Sequence, residues 1–407
     1  MASVPYYEYI VVGCGGIGSG AVYWLSKTAG KGVLGLEQFK LGHENGGSQD
    51  HSRIIRLMYH DEKYTRLTPH TYTAWEEVER EAGVQLVFKT GGLDFARKGT
   101  PQEDTIAKYG EAMRRAGIPF ENMDGDEISR RFPQFNLSKD FIGFYQKDGG
   151  LVDAALGNAV HIQLARGHGA TVLDECGVTW IEKTSGGALV HTNKGTFRCR
   201  KIIVAAGAWI NHVLGTIGVH VPVTVTQEQV TYLSTPHVKD FTKKKFPIWI
   251  YNAREHDIYG LPSHVNAYSK IGVDAGGPSV LPETRTYNPD PTREKVCIDF
   301  FKSHIPKAVG PPAYTKTCLY TMPPDRNFVI DSLKTRGWPE VVICCGAGHA
   351  YKFASLLGKI LSQLAIDGRT EYPISDFTFE REAIINPNYK AGVIMGRGGN
   401  VKLSSNL

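Results

Sequence analysis

The run Gly13-Cys14-Gly15-Gly16-Ile17-Gly18 limits the fold more than any other stretch of the chain. It follows the short apolar segment Tyr9–Val12 and precedes Ser19–Thr28, where Ala21, Trp24 and Leu25 fall at helical spacing. Gly32–Leu36 then makes a second apolar run that ends in Glu37, nineteen positions beyond Gly18. A β-α-β unit opened by G-x-G-x-x-G, with an acidic residue at that distance, reads as a dinucleotide-binding unit. Gly13 permits the tight turn, Gly15 lets the backbone approach a pyrophosphate, and Gly18 allows close helix–strand packing, while the helix amino end supplies partial positive charge. Glu37 can accept hydrogen bonds from both ribose hydroxyls. The pattern by itself does not distinguish FAD from NAD.

The 407 residues suffice for two or three domain-sized units and a large buried pocket. The longest apolar runs, such as Val341–Cys345, are broken within a few residues, so no membrane span is expected. The net charge of +5 has one dense basic cluster, Lys243-Lys244-Lys245, which is too small for a nucleic-acid face and suits a small anionic substrate equally well. Seven cysteines, an odd number without short paired spacings, argue against a disulfide framework and against a zinc site. Cys344-Cys345 reads as core filling in an apolar strand.

Further along, 84–150 mixes short runs with the charged helices Thr105–Ala116 and Asp126–Phe132, and looks like an insertion leaving the nucleotide-binding domain. A helix at Ala154–Gly167, strands at Ala170–Leu173 and Leu189–His191, and the buried strand Lys201–Val204, followed by Ala205-Ala206-Gly207-Ala208-Trp209, return the chain to its first sheet. Val221–Leu233, Phe246–Leu261 and Tyr268–Asp274 read as a mostly antiparallel sheet able to line a pocket. Val341–Ile343, the turn Gly346–Gly348 and a helix over His349–Ile366 form a third strand–glycine–helix junction. The fold class expected is α/β: a Rossmann-type FAD-binding domain from 5–85, 146–220 and 325–390, and an α+β substrate domain from 86–145 and 221–324 on a mostly antiparallel sheet. A carboxyl-terminal tail, 391–407, follows.

Four segments together resemble the monomeric sarcosine oxidase family, which includes pipecolate oxidase and N-methyltryptophan oxidase. They are Gly13–Glu37, Gly47-Ser48-Gln49-Asp50-His51-Ser52-Arg53-Ile54-Ile55-Arg56, Cys318-Leu319-Tyr320-Thr321-Met322-Pro323-Pro324-Asp325, and Gly348-His349-Ala350-Tyr351-Lys352-Phe353. The resemblance implies an FAD-dependent oxidase of small secondary amino acids, such as sarcosine or L-pipecolate, that takes oxygen as acceptor and releases an imine and hydrogen peroxide. It implies FAD joined as a thioether to Cys318; on the residues alone Cys318 is a packed thiol. It places Gly13, Gly15, Gly16, Ile17, Gly18, Glu37, Ser48, Gly207, Trp209, Gly348, His349 and Ala350 around the cofactor. By the same resemblance Arg53 would lie over the flavin ring, Arg56 and Lys352 would hold the substrate carboxylate, and Lys270, eleven residues after Tyr259, would promote the reaction with oxygen.

Read without the resemblance, Arg53 and Arg56 stand three apart and would share one side of a helical turn, either as a surface ion-pair segment or, given Ile54-Ile55, partly buried beside an anion. His349 would open the last helix, and Lys270 and Lys352 would be solvated lysines. The chain departs from the family at Ser48-Gln49 and Asp274, where sarcosine oxidases carry histidines, and at Ala350-Tyr351. These changes suit a larger or more polar substrate, and Asp274 would attract a second cationic group. The competing functions are a flavin dehydrogenase with another electron acceptor and an NAD-dependent dehydrogenase, for which Cys318 has no use. The expected partners are a small amino acid and oxygen, the expected state a monomer. Ser405-Asn406-Leu407 resembles a peroxisomal address that an import receptor would read, although Asn replaces its basic middle residue; the alternative is a frayed tail and a cytoplasmic enzyme.

Overall fold

A computed structural model describes residues 3–59, 61–254 and 257–390; the tail 391–407, with its terminal tripeptide, lies outside the described residues. Five parallel strands form the centre of the first sheet, in the order Val341–Cys345, Gly195–Val204, Tyr6–Val12, Val33–Leu36 and Thr171–Leu173. Val33–Leu36, Val341–Cys345 and the carboxyl halves of Tyr6–Val12 and Gly195–Val204 are buried on both faces, which explains their continuous apolar character rather than an alternating one. The first half of Gly195–Val204 extends beyond this centre and pairs antiparallel with Gly187–Thr192, which pairs in turn with Val178–Thr184. Val329–Ser332 closes the other side against Val341–Cys345.

The first helix, Gly16–Ala29, crosses the helix Ala354–Asp367 at a contact without side chains. A Cβ on Gly358 would stand 2.3 Å from the Gly20 carbonyl carbon, and one on Gly20 would stand 2.8 Å from the Ala354 carbonyl oxygen. Two backbones thus meet directly, and the apolar residues beside them, including Ala21, Trp24, Leu357 and Leu361, form one continuous core. Glu62–Ala82 is a helix that the sequence pattern does not announce, because Pro69 sits in its interior. Asp61 caps it by accepting from the Lys63 N–H, Gly83 ends it in the left-handed region, and Leu67, Trp75 and Val78 bury one face in the same core.

The second sheet has eight strands, in the order Pro312–Met322, Thr224–Leu233, Ser269–Val273, Ile258–Leu261, Ile248–Asn252, Gly92–Arg97, Phe141–Gln146 and Glu121–Asp124. Every neighbouring pair is antiparallel except Ile248–Asn252 with Gly92–Arg97. Phe246–Leu261, read as one strand, is two that pair with each other as antiparallel neighbours. The helix Pro291–His304 packs Phe300 and Phe301 against Trp249 on this sheet.

A small third sheet joins Arg53–Ile55, Gly150–Val152 and Val87–Lys89. Arg53 therefore lies on a strand, and the helical turn expected for Arg53 and Arg56 does not form. Ladder pairing with Gly150–Val152 and burial of Ile55 outweigh the arginine spacing. His349 likewise does not open a helix: a 3₁₀ turn over Tyr351–Phe353 comes first, and the α-helix starts at Ala354.

The crossing at Gly358 generates a direct test. Gly358→Ala should destabilise the protein by about 1–3 kcal/mol through overpacking. Gly167→Ala, at a helix end where an added Cβ meets nothing within 4 Å, should change stability by less than about 0.5 kcal/mol. Denaturant unfolding of the two variants compares them, and equal stabilities would remove the crossing as a constraint.

Candidate functional site

The five parallel strands end at Val12, Leu36, Leu173, Val204 and Cys345, all on one side of the sheet. Ligands in open α/β sheets bind outside such carboxyl ends, and here a cavity of about 320 Å³ opens there and runs on to the antiparallel sheet. At its nucleotide end Gly13 has φ +88°, and a Cβ on Gly18 would lie 1.7 Å from the Gly13 carbonyl oxygen, so the turn and the helix close on each other only without those side chains. Glu37, buried, accepts from the Cys14 N–H at 2.9 Å and the Phe39 N–H at 3.1 Å, and stands 3.3 Å from His43 Nε2. Ser48 Oγ accepts from the Gly16 N–H at 2.8 Å. Gly207-Ala208-Trp209 borders the same end, with Trp209 edge-on to Phe39.

At the other end three elements of different origin converge. Cys318 comes from the long strand Pro312–Met322, directly across from Glu228; burial pushes its thiol pKa up, and Arg53 opposes that. Lys270 is fully buried on the next strand but one, where its ammonium donates to Asp50 Oδ2 and to the Ser52 carbonyl, both at 2.6 Å. Burial pushes the Lys270 pKa down to about 8, and the Asp50 carboxylate opposes that shift. Arg53 pairs with the same Asp50 and stays charged. Tyr259 lies across the ladder from Gly272, where a Cβ would stand 2.9 Å from its ring hydroxyl, so the glycine makes room for the ring. Its own phenol is pushed up by burial.

Arg56 and Lys352 flank one aromatic ring: the Arg56 guanidinium lies 5.0 Å and the Lys352 ammonium 5.5 Å from the centre of Tyr59. Arg56 Nη1 pairs with Asp94, while Arg56 Nε and Asp94 Oδ2 have no hydrogen-bond partner among the described residues. Burial pushes the Asp94 carboxyl pKa up, against the pull of Arg56. Lys352 Nζ donates to the His349 carbonyl at 2.8 Å; burial first, then Arg56, push its pKa down to about 7. His349 is held neutral by burial and by Lys352, stacked on Phe328 with ring centroids 4.8 Å apart. Asp274 does not wait for a second cation from outside. Arg326 of this chain reaches both its oxygens at 3.0 Å, and both residues line the cavity.

The structure thus brings together at one cavity Gly13, Gly15, Gly16, Ile17, Glu37, Ser48, Arg53, Arg56, Gly207, Trp209, Tyr259, Lys270, Cys318, Gly348, His349, Ala350 and Lys352. Gly18 stands behind it, against Gly13. Sequence reasoning did not single out Asp94, Arg326 or Tyr232, nor give Asp50 a role of its own. A signal exists for Asp94, an acid in the run Gly91-Gly92-Leu93-Asp94-Phe95-Ala96 whose neighbours are buried. For Asp50 and Tyr232 there is none, since 182 positions separate two side chains that hydrogen-bond at 2.6 Å. Among the described residues no group of three or more His, Cys, Asp or Glu could hold a metal ion, and no helix is long and apolar enough to cross a membrane.

An FAD molecule matches these features. The glycine turn and helix amino end suit a pyrophosphate, Glu37 stands where a ribose would lie, and the cavity continues to a thiol beside Arg53 and Lys270. Residues 8–364 match the family model described as FAD dependent oxidoreductase. The chain is 33% identical over 384 residues to a monomeric sarcosine oxidase of Streptomyces avermitilis, covering 93% of this chain and 98% of that one. It is 31% identical over 393 residues to the peroxisomal sarcosine oxidase of Mus musculus, covering 93% and 97%. Among solved structures it is similar to NikD, an unusual amino acid oxidase essential for nikkomycin biosynthesis, in its open form, with a TM-score of 0.82, 27% identity and coverage of 92% and 97%. A shared core, a glycine turn at the carboxyl ends of the strands and matches along nearly the whole length lead to one assignment: the chain belongs to the family of FAD-dependent oxidoreductases that includes the monomeric sarcosine oxidases.

Proposed function

We propose that this protein oxidises small secondary amino acids at the carbon bearing the amine, with oxygen as acceptor. The observation that carries the reading is the pair of buried cations, Arg56 and Lys352, around Tyr59, in the same cavity as Cys318 and Lys270. Bound FAD would supply the two-electron chemistry, hydride acceptance from the substrate carbon and return of both electrons to oxygen as hydrogen peroxide, leaving an imine open to hydrolysis. The polypeptide supplies orientation and charge. Arg56 and Lys352 grip a carboxylate, which removes most of the rotational freedom of a small amino acid. Arg56 offers donors in a planar fork, and Lys352 a compact charge whose protonation depends on pH. Tyr59 and Tyr109 wall off water beside the fork.

In this reading Cys318 carries the flavin as a thioether, Glu37, Ser48, Gly207 and Trp209 hold its nucleotide portion, and Gly348, His349 and Ala350 border its ring. Arg53 faces the reacting edge, and Lys270 presents positive charge to oxygen as it takes up electrons. The FAD-binding part comprises 5–85, 146–220 and 325–390, and the substrate part 86–145 and 221–324. The Arg326–Asp274 pair, inside the same cavity, favours a substrate with a polar group beyond the carboxylate and amine. The proposal extends to a monomeric enzyme housed in the peroxisome, the location that the name of the mouse relative carries.

Two measurements test this reading. Purified protein should be yellow and should keep its absorbance after acid precipitation, while Cys318→Ser should release the colour; on sarcosine, L-pipecolate, L-proline and larger N-substituted amino acids it should form hydrogen peroxide. Peroxide formed from primary amines alone, or colour lost from the unmodified protein, would overturn the substrate class or the covalent bond respectively.

The second measurement uses pH. Lys352 loses its proton as pH rises through a pKa near 7, so the cation that grips an anion disappears on the alkaline side. Binding of a carboxylate favours the protonated form and moves the transition upward. Affinity for a carboxylate that cannot be oxidised, such as propionate, read from the flavin absorbance, should fall by up to about tenfold per pH unit once the lysine is mostly neutral. Lys352→Met should bind more weakly and show no such limb. An identical slope in that variant removes Lys352 from the carboxylate grip.

A further inference from the structure

Behind the cavity wall stands a carboxylate that none of these steps uses. Asp50 is 4% exposed and does not line the cavity, yet its oxygens hold two residues that do. Oδ2 accepts from Lys270 Nζ at 2.6 Å and pairs with Arg53 Nη1; Oδ1 accepts from the Tyr232 hydroxyl at 2.6 Å and from the His51 N–H at 2.8 Å. The remaining bonds of the two cations go to backbone oxygens, those of Ser52 for Lys270 and of Ser52 and Gly47 for Arg53. One anion therefore serves a buried and a half-buried cation.

Charge separates their fates. A guanidinium does not lose its proton in a protein, whereas a buried lysine readily does. Without Asp50 the two cations would face each other in a medium of low polarity, and only Lys270 could relieve the repulsion. We infer that Asp50 is a positioning residue that keeps Lys270 in its ammonium form and aims Lys270 and Arg53 together at the reacting end of the cavity.

The inference rests on the proposal that flavin and oxygen meet at that end. The groups facing Lys270 are Asp50, Arg53 and Cys318, with the Tyr232 ring 5.8 Å from the ammonium; Tyr314 and Tyr259 face Asp50 from the neighbouring strands. The tyrosine phenols and the thiol are pushed up by burial, and Asp50 is held well below the usual carboxylate range despite its burial, by Lys270 and Arg53. The His51 ring stands edge-on to Tyr232 at 5.9 Å, and of the groups in direct contact with Asp50 through a side chain Lys270 is the one whose proton affinity burial moves toward neutral pH.

The test uses holoenzyme carrying lysine labelled with ¹³C, in which the Lys270 signal is identified by its loss in Lys270→Met. In the unmodified protein the signal should titrate with a midpoint near 8. In Asp50→Asn the midpoint should fall by at least about one unit, equivalent to tenfold in proton affinity. Reoxidation of reduced enzyme by oxygen should show its pH limb displaced by the same amount. Reduction by substrate should lose less than reoxidation does, with its own pH limb unmoved, and Asp50→Glu should restore the titration in part. An unmoved Lys270 midpoint overturns the inference, as does an equal loss in both half-reactions. Should Asp50→Asn not accumulate as holoenzyme, the unmodified protein decides, because a Lys270 midpoint below about 6.5, far under the lysine reference value, means that the carboxylate does not hold the charge. If Lys270→Met reacts with oxygen undiminished, the assigned role of Lys270 fails, while the titration still reports on Asp50.

Discussion

The contact between Gly18 and the carbonyl of Gly13 is the constraint from which the rest of the site follows. Because nothing stands between the first helix and the first strand, the helix amino end lies at the carboxyl edge of the parallel sheet. Every other junction at that edge is arranged around it. Gly346–Gly348 leaves the strand Val341–Cys345 beside Ile17, Ala205–Trp209 leaves its neighbour beside Gly13, and the glycine crossing at Gly20 and Gly358 holds the last helix against the first. A side chain at these points would separate layers that have to touch, and the cavity would lose its floor.

The far end of the cavity is governed by charge. Five cationic side chains, Arg53, Arg56, Lys270, Arg326 and Lys352, line it; Asp50, Asp94 and Asp274 are paired with four of them, and a fourth acid, Asp257, is buried in the cavity lining. Buried charges are tolerated when paired and hydrogen-bonded, and the excess of positive charge here is what an anionic substrate and a flavin that becomes negative on reduction would balance. The two lysines are the adjustable members, since burial lowers their pKa values into the neutral range while the arginines remain charged. The site's electrostatics therefore change with pH at two points some distance apart in the fold, one beside Asp50 and one beside Tyr59.

Much of the framework is readable from local pattern. The β-α-β unit, the helix Ala154–Gly167 and the antiparallel strands follow from apolar periodicity, because each element's own residues decide it. Elsewhere tertiary context overrides local pattern. Arg53 and Arg56 have helical spacing but lie at a strand, since Gly150–Val152 supplies a ladder the local sequence cannot reveal. Pro69 masks the helix Glu62–Ala82, which survives because one face is buried in the main core. His349 sits before a 3₁₀ turn rather than at a helix start, with its ring stacked on Phe328.

By itself the sequence determined the fold class and the nucleotide-binding turn, because these depend on residue type and short-range spacing, while four of the cavity cations, Arg53, Arg56, Lys270 and Lys352, were legible only through the family resemblance. Only the tertiary structure decided how the charges are shared. Asp50 meets Tyr232 and Lys270 from more than 180 positions away, Arg56 meets Asp94 across two sheets, and Arg326 claims Asp274. An ion pair in a protein interior is set by which strands the chain brings side by side, and side chains far apart in sequence carry no mark of it until the sheets have formed.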